Sequence, residues 1–341
     1  MMTTCEDLNE LTTTLIEVTH LTTGNRLTSS SSRGVDYYFE CTVLLIGVVG
    51  TVANALVLYA MVVSKQHKKQ VLIFNQNLLD CVSCFFLSAT HMIILCNLDL
   101  TGTRGYWLCL MFLTGVNWLG PYIGSFINLS AITIERYLRV VHPEWTNKKL
   151  HKWVIYLAVV FAWVAGIVVS AAVNSTTTEV ANGICLARIY WKSQAARIAF
   201  GIWYLISFYV FILLNFIFCY WRILVIIRHQ ARIMAVHSGA RPDAIQFQLK
   251  QTEINIIKTM LLVSVLFAIT FAPANVYTFL NHVTKVKVNK NALYAVILIG
   301  YLYIVINPFI YATKFDPVRC VLKRMTPCNR TAEPLESIQM T

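Results

Sequence analysis

The sequence predicts an all-α membrane protein: a seven-transmembrane helix bundle followed by a short amphipathic eighth helix. Of the 341 residues, 57% are apolar and only 13% are charged, about half the charged share of a soluble domain. Seven segments are almost free of formal charge, and each exceeds the ~20 residues that a spanning helix needs. Core helices of a soluble protein are normally shorter and amphipathic. The predicted spans are 41–64, 71–98, 105–134, 153–178, 198–221, 259–284 and 291–313.

The two ends of the chain differ from this predicted bundle. Residues 1–37 are polar and rich in threonine and serine, without the pattern of a cleaved signal peptide, and predict a disordered extracellular tail. Residues 38–314 form the predicted seven-helix domain. Residues 315–341 begin with an amphipathic stretch in which apolar residues such as Phe315 oppose basic residues such as Arg319. This stretch predicts a helix on the membrane surface, followed by a cytoplasmic tail.

The distribution of basic residues predicts the orientation in the membrane. Nineteen of the 28 lysine and arginine residues fall on one predicted face, and the face with this excess is normally cytoplasmic. The N-terminus is then extracellular and the C-terminus cytoplasmic, as in a multi-pass protein of the plasma membrane. The net charge of +12 indicates topology and attraction to membrane lipid, not binding of nucleic acid.

Several of the ten cysteines are candidates for covalent bonds. Cys109 and Cys185 lie near the predicted outer face, where disulfides persist. A bridge between them would hold the loop after the fourth span over the third helix. Cys5, Cys41 and Cys96 also fall near that face, so the pairing stays open at this point.

Two further modifications are suggested by local sequence. Asn174 begins an Asn-Ser-Thr sequon on the predicted outer face, which indicates a glycosylation site. Cys320 and Cys328 follow the last span and are candidates for palmitoylation, with free thiols as the alternative.

Asp80 is the only formal charge within the predicted spans. Ionisable residues inside a membrane are costly and usually functional. At 1.5 Å of rise per residue, Asn54, Ser125 and Asn307 lie at the same depth as Asp80, roughly 10–15 Å from the inner boundary. Such a polar cluster could hold a cation such as sodium, or ordered water, or it could be a hydrogen-bonded packing cluster.

The third span ends at Glu135-Arg136-Tyr137, 27 residues after Cys109. This interval corresponds to roughly 40 Å of helix, enough to cross a bilayer with its headgroup zones. Glu253 precedes the sixth span at the same level as Arg136, and a pair between them would clamp the third helix to the sixth. Glu135 is another candidate partner, and an arginine that only anchors in the headgroups is the simplest alternative.

Together these residues resemble the rhodopsin-like (class A) G-protein-coupled receptors over about residues 40–325. Glu135-Arg136-Tyr137 is similar to the family's acidic-Arg-Tyr motif, and the run from Asn307 to Tyr311 is similar to its Asn-Pro-x-x-Tyr motif. The other residues that carry the resemblance are Asn54, Asp80, Cys109, Trp163, Cys185, Tyr220, Phe267, Phe271 and Pro273.

The resemblance implies a role for most of these residues. It implies a Cys109–Cys185 disulfide and a toggle residue, Phe271, beneath the ligand. It implies a sodium pocket formed by Asn54, Asp80, Ser125 and Asn307, with sodium as an allosteric ion and no other cofactor. The implied partners are an extracellular ligand, a heterotrimeric G protein and arrestin. The residues of the implied G-protein switch are Glu135, Arg136, Tyr137, Tyr220, Glu253, Asn307, Pro308 and Tyr311.

The sequence also departs from the family pattern. The usual Cys-Trp-x-Pro of the sixth helix is Thr270-Phe271-Ala272-Pro273 here, and Ile212 replaces a proline of the fifth helix. The interval from Cys109 to Arg136 is two residues longer than the usual spacing. These changes concern the details of activation and not the fold.

The predicted ligand cavity is aromatic. Trp118 replaces the aspartate that binds the ammonium group in amine-binding members, and no carboxylate lies in the outer part of a predicted span, which disfavours biogenic amines. Tyr301 occupies the place of the retinal-binding lysine, which argues against an opsin. Such a lining suits an apolar ligand or the end of a peptide, although the rings could simply pack the bundle. The predicted lining residues are His91, Trp118, Tyr122, Tyr204, Phe208, Phe271, Asn275 and Tyr301.

We therefore predict a cell-surface receptor that converts binding of an extracellular ligand into activation of a G protein. A peptide ligand is favoured over an apolar or lipid-like small molecule. A transporter or channel is the distant alternative, but those often carry inverted repeats and several intramembrane charges. An enzyme is disfavoured because the sequence has no His-Glu-x-x-His or Gly-x-Ser-x-Gly motif.

Overall fold

The computed structural model describes residues 30–96, 102–149, 151–174, 178–181, 184–187, 193–236, 244–283 and 289–325. Seven of its helices are long and apolar enough to cross a membrane, which confirms the predicted fold class. We number them first to seventh. In order they are Ser30–Val63, Val71–Leu95, Gly102–Leu108 continued by Val116–Val141, Lys152–Asn174, Gln194–Leu205 continued by Phe211–Val236, Ala244–Val283 and Lys290–Lys314. The shorter helices are Gln66–Lys69, Pro143–Lys149 and Asp316–Met325.

The first helix begins earlier than the predicted span. It starts at Ser30, so Asp36 and Glu40 are helical residues, and both are buried. The prediction that no carboxylate lies in the outer part of a span was therefore wrong. The two residues precede the uncharged run in sequence, and only their partners on neighbouring helices, Lys290 and His91, allow them to be buried.

Most other helix ends also differ from the predicted spans. The fourth helix ends at Asn174, four residues before the predicted end, and a β-strand begins at Thr178. The fifth helix extends to Val236 and the sixth begins at Ala244. Both therefore extend beyond the predicted spans, which end at residue 221 and begin at residue 259.

The third helix is interrupted near the disulfide. A π-helical turn at Cys109–Leu113 is followed by Gly115, whose φ of 77° favours glycine. A Cβ atom on Gly115 would lie 2.7 Å from Nε1 of Trp118, so the glycine also leaves room for the indole. This interruption absorbs extra residues, which explains why the interval from Cys109 to Arg136 is longer than the usual spacing.

The fifth helix contains a second π-helical segment, at Ile206–Val210. The segment lies immediately before Phe211 and Ile212, where the family usually has its proline. A π-segment changes the rotation of a helix without needing a proline, and such segments are frequent at functional sites.

Three glycines allow the third and fourth helices to approach closely. A Cβ atom on Gly166 would lie 2.3 Å from the carbonyl oxygen of Gly120 and 2.8 Å from the nitrogen of Gly124. Helices in lipid gain little from burying apolar surface, and small residues that permit backbone contact promote their association. This contact places Trp163, three residues before Gly166, against the second helix, where its Nε1 donates to Oδ1 of Asn75 at 2.9 Å.

A hairpin and a disulfide connect the loop after the fourth helix to the bundle. Strand β1 (Thr178–Ala181) pairs antiparallel with β2 (Ile184–Ala187). Cys185 on β2 is bonded to Cys109, with a Cα–Cα distance of 5.5 Å. The implied disulfide is therefore confirmed, and Cys41 and Cys96 are free thiols. Cys5 lies outside the described residues.

The predicted amphipathic helix is Asp316–Met325, which packs against the first and seventh helices. Val318 is fully buried, whereas Arg319 and Cys320 are exposed. An exposed thiol at this position is compatible with palmitoylation, which stays a prediction. Cys328 and the side chain of Asn174 lie outside the described residues.

Replacing Gly166 by alanine is expected to destabilise the bundle. The added methyl group would force the third and fourth helices apart, and overpacking of this kind costs about 1–3 kcal/mol. We expect a lower melting temperature and reduced surface expression. Gly34→Ala makes the same chemical change at a site where a Cβ atom meets nothing within 4 Å. Equal melting temperatures for the two variants would contradict the proposed close contact.

Candidate functional site

A cluster of polar side chains surrounds Asp80 inside the bundle. The carboxylate is fully buried. Ser125 of the third helix donates its hydroxyl to Oδ1 at 2.6 Å, and Asn307 of the seventh helix donates its amide to Oδ2 at 3.0 Å. The structure therefore brings three of the four predicted pocket residues into contact.

Asn54, the fourth predicted pocket residue, has a different contact. Its side-chain amide donates to the carbonyl oxygens of Gly50, at 2.9 Å, and Ile304, at 3.1 Å. Because Ile304 lies on the seventh helix, Asn54 connects the first helix to the seventh beside the cluster.

Four residues of this cluster were not predicted from the sequence: Asn75, Gln76, Asn128 and Tyr303. Gln76 contacts Asp80, Ser125 and Tyr303, and Asn128 connects Gln76 to Asn75. A signal was present: Gln76 precedes Asp80 by four residues and Asn128 follows Ser125 by three, so each shares a helix face with a predicted residue.

The resemblance implies a sodium ion at Asp80, and the groups around the carboxylate test whether it fits. Hard cations are coordinated by oxygen lone pairs. Here Oδ1 accepts a hydroxyl proton from Ser125, and Oδ2 accepts amide protons from Asn307 and, at 3.5 Å, from Gln76. Because these donors direct protons at both carboxylate oxygens, the lining does not fit a cation bound to the carboxylate. The sodium ion that the resemblance implies is not tested here, and no step of the proposed activation depends on it.

Arg136 lies at the opposite end of the third helix from the disulfide and is only 7% exposed. Its Nη2 donates to Oε1 of Gln70, at the start of the second helix. The same nitrogen lies 3.5 Å from Oε2 of Glu135, whose Oε1 pairs with Arg139 at 2.8 Å. Gln70 was not predicted as a partner. The side chain of Glu253 lies outside the described residues, so the predicted clamp stays a prediction.

Two tyrosines of the predicted switch, Tyr220 and Tyr311, are buried at the same end of the bundle, and the third, Tyr137, is partly buried. The hydroxyl of Tyr220 accepts from Ser264 of the sixth helix at 3.3 Å and lies 3.5 Å from Oγ1 of Thr133 on the third helix. Tyr311 is 1% exposed, and its hydroxyl has no hydrogen-bond partner among the described residues. Tyr137 packs against Phe218, with ring centroids 5.6 Å apart.

Four of the predicted ligand residues form one aromatic cluster. Trp118 lies 5.9 Å from Tyr122 and 5.6 Å from Tyr301, and Tyr122 lies 5.6 Å from Phe271, measured between ring centroids. Phe126 continues the cluster towards the Asp80 region, 4.4 Å from Phe271. Contact between these rings joins the third, sixth and seventh helices, so a ligand that moved one ring would move the others.

The remaining predicted ligand residues have other contacts. Tyr204 and Phe208 pack against each other on the fifth helix, with centroids 5.3 Å apart. Asn275 donates to the carbonyl oxygen of Phe271 at 2.9 Å, while its buried Oδ1 has no partner among the described residues. That oxygen therefore keeps an unused capacity to accept a hydrogen bond.

A second polar cluster joins the first, second and seventh helices towards the disulfide end. Nδ1 of His91 is paired with Glu40, so His91 belongs to this cluster. Asp36 binds Nζ of Lys290 at 2.5 Å and accepts the hydroxyl of Tyr294 at 2.9 Å. Both carboxylates are thus partnered.

Comparison with known families decides the class of protein. The family model described as "7 transmembrane receptor (rhodopsin family)" matches residues 53–311. The chain belongs to the rhodopsin family of seven-transmembrane receptors. It is accordingly a multi-pass receptor of the plasma membrane and not an enzyme.

Individual relatives in the rhodopsin family are distant. The chain is 25% identical to somatostatin receptor type 4 of Rattus norvegicus over 84% of this chain and 72% of the receptor. It is 26% identical to melanopsin-B of Gadus morhua, over 86% of this chain but only 48% of that protein. It is also 26% identical to proteinase-activated receptor 3 of Rattus norvegicus, over 87% of this chain and 77% of that receptor.

Removing the hydroxyl donor of Asp80 is expected to destabilise this rhodopsin-family receptor. Ser125→Ala leaves Oδ1 of a buried carboxylate without its 2.6 Å partner, and hydrogen bonds to charged groups contribute about 1.5–3 kcal/mol. We expect the purified protein to melt several degrees lower. Ser88→Ala is the control, because the Ser88 hydroxyl donates to the carbonyl oxygen of Phe85 within its own helix turn. A melting temperature unchanged by Ser125→Ala would contradict the assigned contact.

Proposed function

We propose that this protein is a cell-surface receptor that converts binding of an extracellular ligand into activation of a heterotrimeric G protein, with arrestin as a further partner. The observation that supports this most directly is the family match together with the buried Arg136 at the bundle end opposite the Cys109–Cys185 disulfide. One end would receive the ligand and the other would contact the G protein.

The proposed orientation places the disulfide end outside the cell, the N-terminus extracellular and the C-terminus cytoplasmic. Two observations support it. Disulfides persist in oxidising compartments, and the helix ends near Arg136 carry exposed basic residues such as Lys68, Lys69 and Arg139, which are enriched on the cytoplasmic side. Access of antibody to an N-terminal epitope tag in intact cells tests this orientation.

The proposed activation step is a change of partners at the Arg136 end. In the conformation described here, Arg136 is bound to Gln70, and Tyr220 bridges the third and sixth helices. Release of Arg136 and outward movement of the sixth helix would open a crevice for the G protein. The buried hydroxyl of Tyr311 has no hydrogen-bond partner among the described residues and would then gain one.

We favour a peptide ligand. The aromatic cluster around Trp118 and Tyr122 offers an apolar surface, and Oδ1 of Asn275, which has no partner in the part of the chain that the structure describes, offers an acceptor. Towards the disulfide end, Asp36 and Lys290 add charges of both signs. A peptide end combines apolar side chains with polar backbone groups and matches this mixture. An apolar small molecule, which would use only the rings, is the alternative.

Two other ligand classes fit less well. A biogenic amine needs a carboxylate to balance its ammonium group. The two buried carboxylates described near the disulfide end are paired, Asp36 with Lys290 and Glu40 with His91. Retinal needs a lysine in the middle of the seventh helix, whereas Lys290 and Lys314 lie at its two ends. A somatostatin receptor and a melanopsin match this chain at 25% and 26% identity. The comparisons therefore do not favour one ligand class over another.

Gln70→Ala is expected to raise ligand-independent nucleotide exchange on the G protein several-fold. The substitution removes an acceptor that holds Arg136 in the conformation described here. The measurement is binding of a non-hydrolysable GTP analogue to membranes with equal receptor expression. Gln66→Ala, the same change one turn earlier, is the control, and Glu253→Ala tests the predicted clamp in parallel. An unchanged basal rate for Gln70→Ala would show that this contact does not restrain activation.

Screening the receptor against peptide and lipid libraries, with nucleotide exchange as readout, tests the proposed function itself. For an active peptide or lipid we expect Asn275→Leu to lower potency about tenfold, the effect of losing roughly 1.4 kcal/mol. Phe161→Ala, at a ring 60% exposed on the bundle surface, should have little effect. A ligand-gated ion current without nucleotide exchange would instead support a channel.

A further inference from the structure

A continuous chain of side-chain amides connects the fourth helix to Asp80. Nε1 of Trp163 donates to Oδ1 of Asn75, whose Nδ2 donates to Oδ1 of Asn128, both at 2.9 Å. Nδ2 of Asn128 donates to Oε1 of Gln76, also at 2.9 Å. The amide of Gln76 then reaches Asp80. Sequence motifs predicted the two ends of this chain and none of the amides between them.

The direction of every hydrogen bond in this chain is fixed by groups that can act in only one way. An indole N–H can only donate, so Asn75 must present its oxygen to Trp163 and its NH₂ group to Asn128. A peptide carbonyl can only accept, and Nδ2 of Asn128 also donates to the carbonyl oxygen of Leu72 at 2.9 Å. Both constraints require Asn128 to present its NH₂ group to Gln76, whose Oε1 accepts the hydrogen bond. Gln76 therefore presents its own NH₂ group to Asp80.

That NH₂ group lies among the oxygen atoms that a cation would need. Nε2 of Gln76 contacts Oγ of Ser125, the hydroxyl oxygen of Tyr303 at 3.3 Å and Oδ2 of Asp80 at 3.5 Å. Tyr303 is fully buried. An amide N–H carries partial positive charge, so it offsets the carboxylate and repels a cation at the same position.

We propose that the Gln76 amide, oriented by Trp163 through Asn75 and Asn128, takes the place of a cation at Asp80, so that this protein is insensitive to sodium. Sodium insensitivity is a property of the ligand-free protein, so its test needs neither agonist nor G protein. Removing the Gln76 side-chain amide should create a cation site. Without the Gln76 amide, a small cavity would be lined by oxygen atoms of Asp80, Ser125, Tyr303 and Asn307. One of these atoms, Oδ1 of Asn307, has no partner among the described residues.

The test is thermal melting of the purified, ligand-free protein in sodium chloride and in choline chloride at equal ionic strength. We expect the wild-type melting temperature to be the same in both salts. Gln76→Leu, whose shorter side chain removes the amide group, should melt about 3 °C or more higher in saturating sodium. Adding Asp80→Asn to Gln76→Leu should abolish this gain.

Asn77→Leu is the matched control, because it makes the same kind of change on the next residue, whose fully buried amide donates to Ile73 of its own helix. We expect it to show no sodium effect. Two results would overturn the proposal. One is a saturable rise in the wild-type melting temperature with sodium that Asp80→Asn removes, and this measurement stands even if Gln76→Leu fails to fold. The other is a folded Gln76→Leu protein whose melting temperature does not respond to sodium.

Discussion

Hydrocarbon offers no water to a buried polar group, so a polar side chain inside this bundle has to find its partner within the protein. The requirement is strongest for the carboxylate of Asp80, because burying an unpaired charge costs several kcal/mol. Its partners, Ser125 and Asn307, lie on the third and seventh helices. Satisfying one carboxylate therefore fixes how three helices sit relative to one another, and a relative shift of any of them changes those contacts.

The same requirement recurs at both ends of the bundle. Towards the disulfide end, Asp36 and Glu40 bury their carboxylates against Lys290 of the seventh helix and His91 of the second. At the other end, Arg136 of the third helix binds Gln70 at the start of the second. Aromatic rings fill the space between these levels. Polar contacts at three depths thus join the first, second, third and seventh helices, which connects the two ends of the bundle.

Departures from regular helix determine where the functional side chains point. The π-turn at Cys109–Leu113 and the positive φ of Gly115 set the position of Trp118 relative to the disulfide. The glycine contact around Gly166 brings Trp163 within hydrogen-bonding distance of Asn75. Without that approach, the amide chain to Asp80 would lose the donor that sets its direction. Backbone packing in one helix pair therefore controls the chemistry around a carboxylate on another helix.

The sequence alone determined the number of spans, the shared depth of Asp80, Ser125 and Asn307, and the residues that resemble the family, because apolar length and the rise per residue are properties of the local chain. Only the tertiary structure decided the roles of Gln76 and Gln70. Depth along a helix says nothing about its rotation, and rotation determines which polar groups meet. The start of the first helix could not be predicted from the sequence for the same reason. A charged residue such as Asp36 indicates an exposed tail, and its burial in a helix becomes possible because Lys290 on another helix pairs with it.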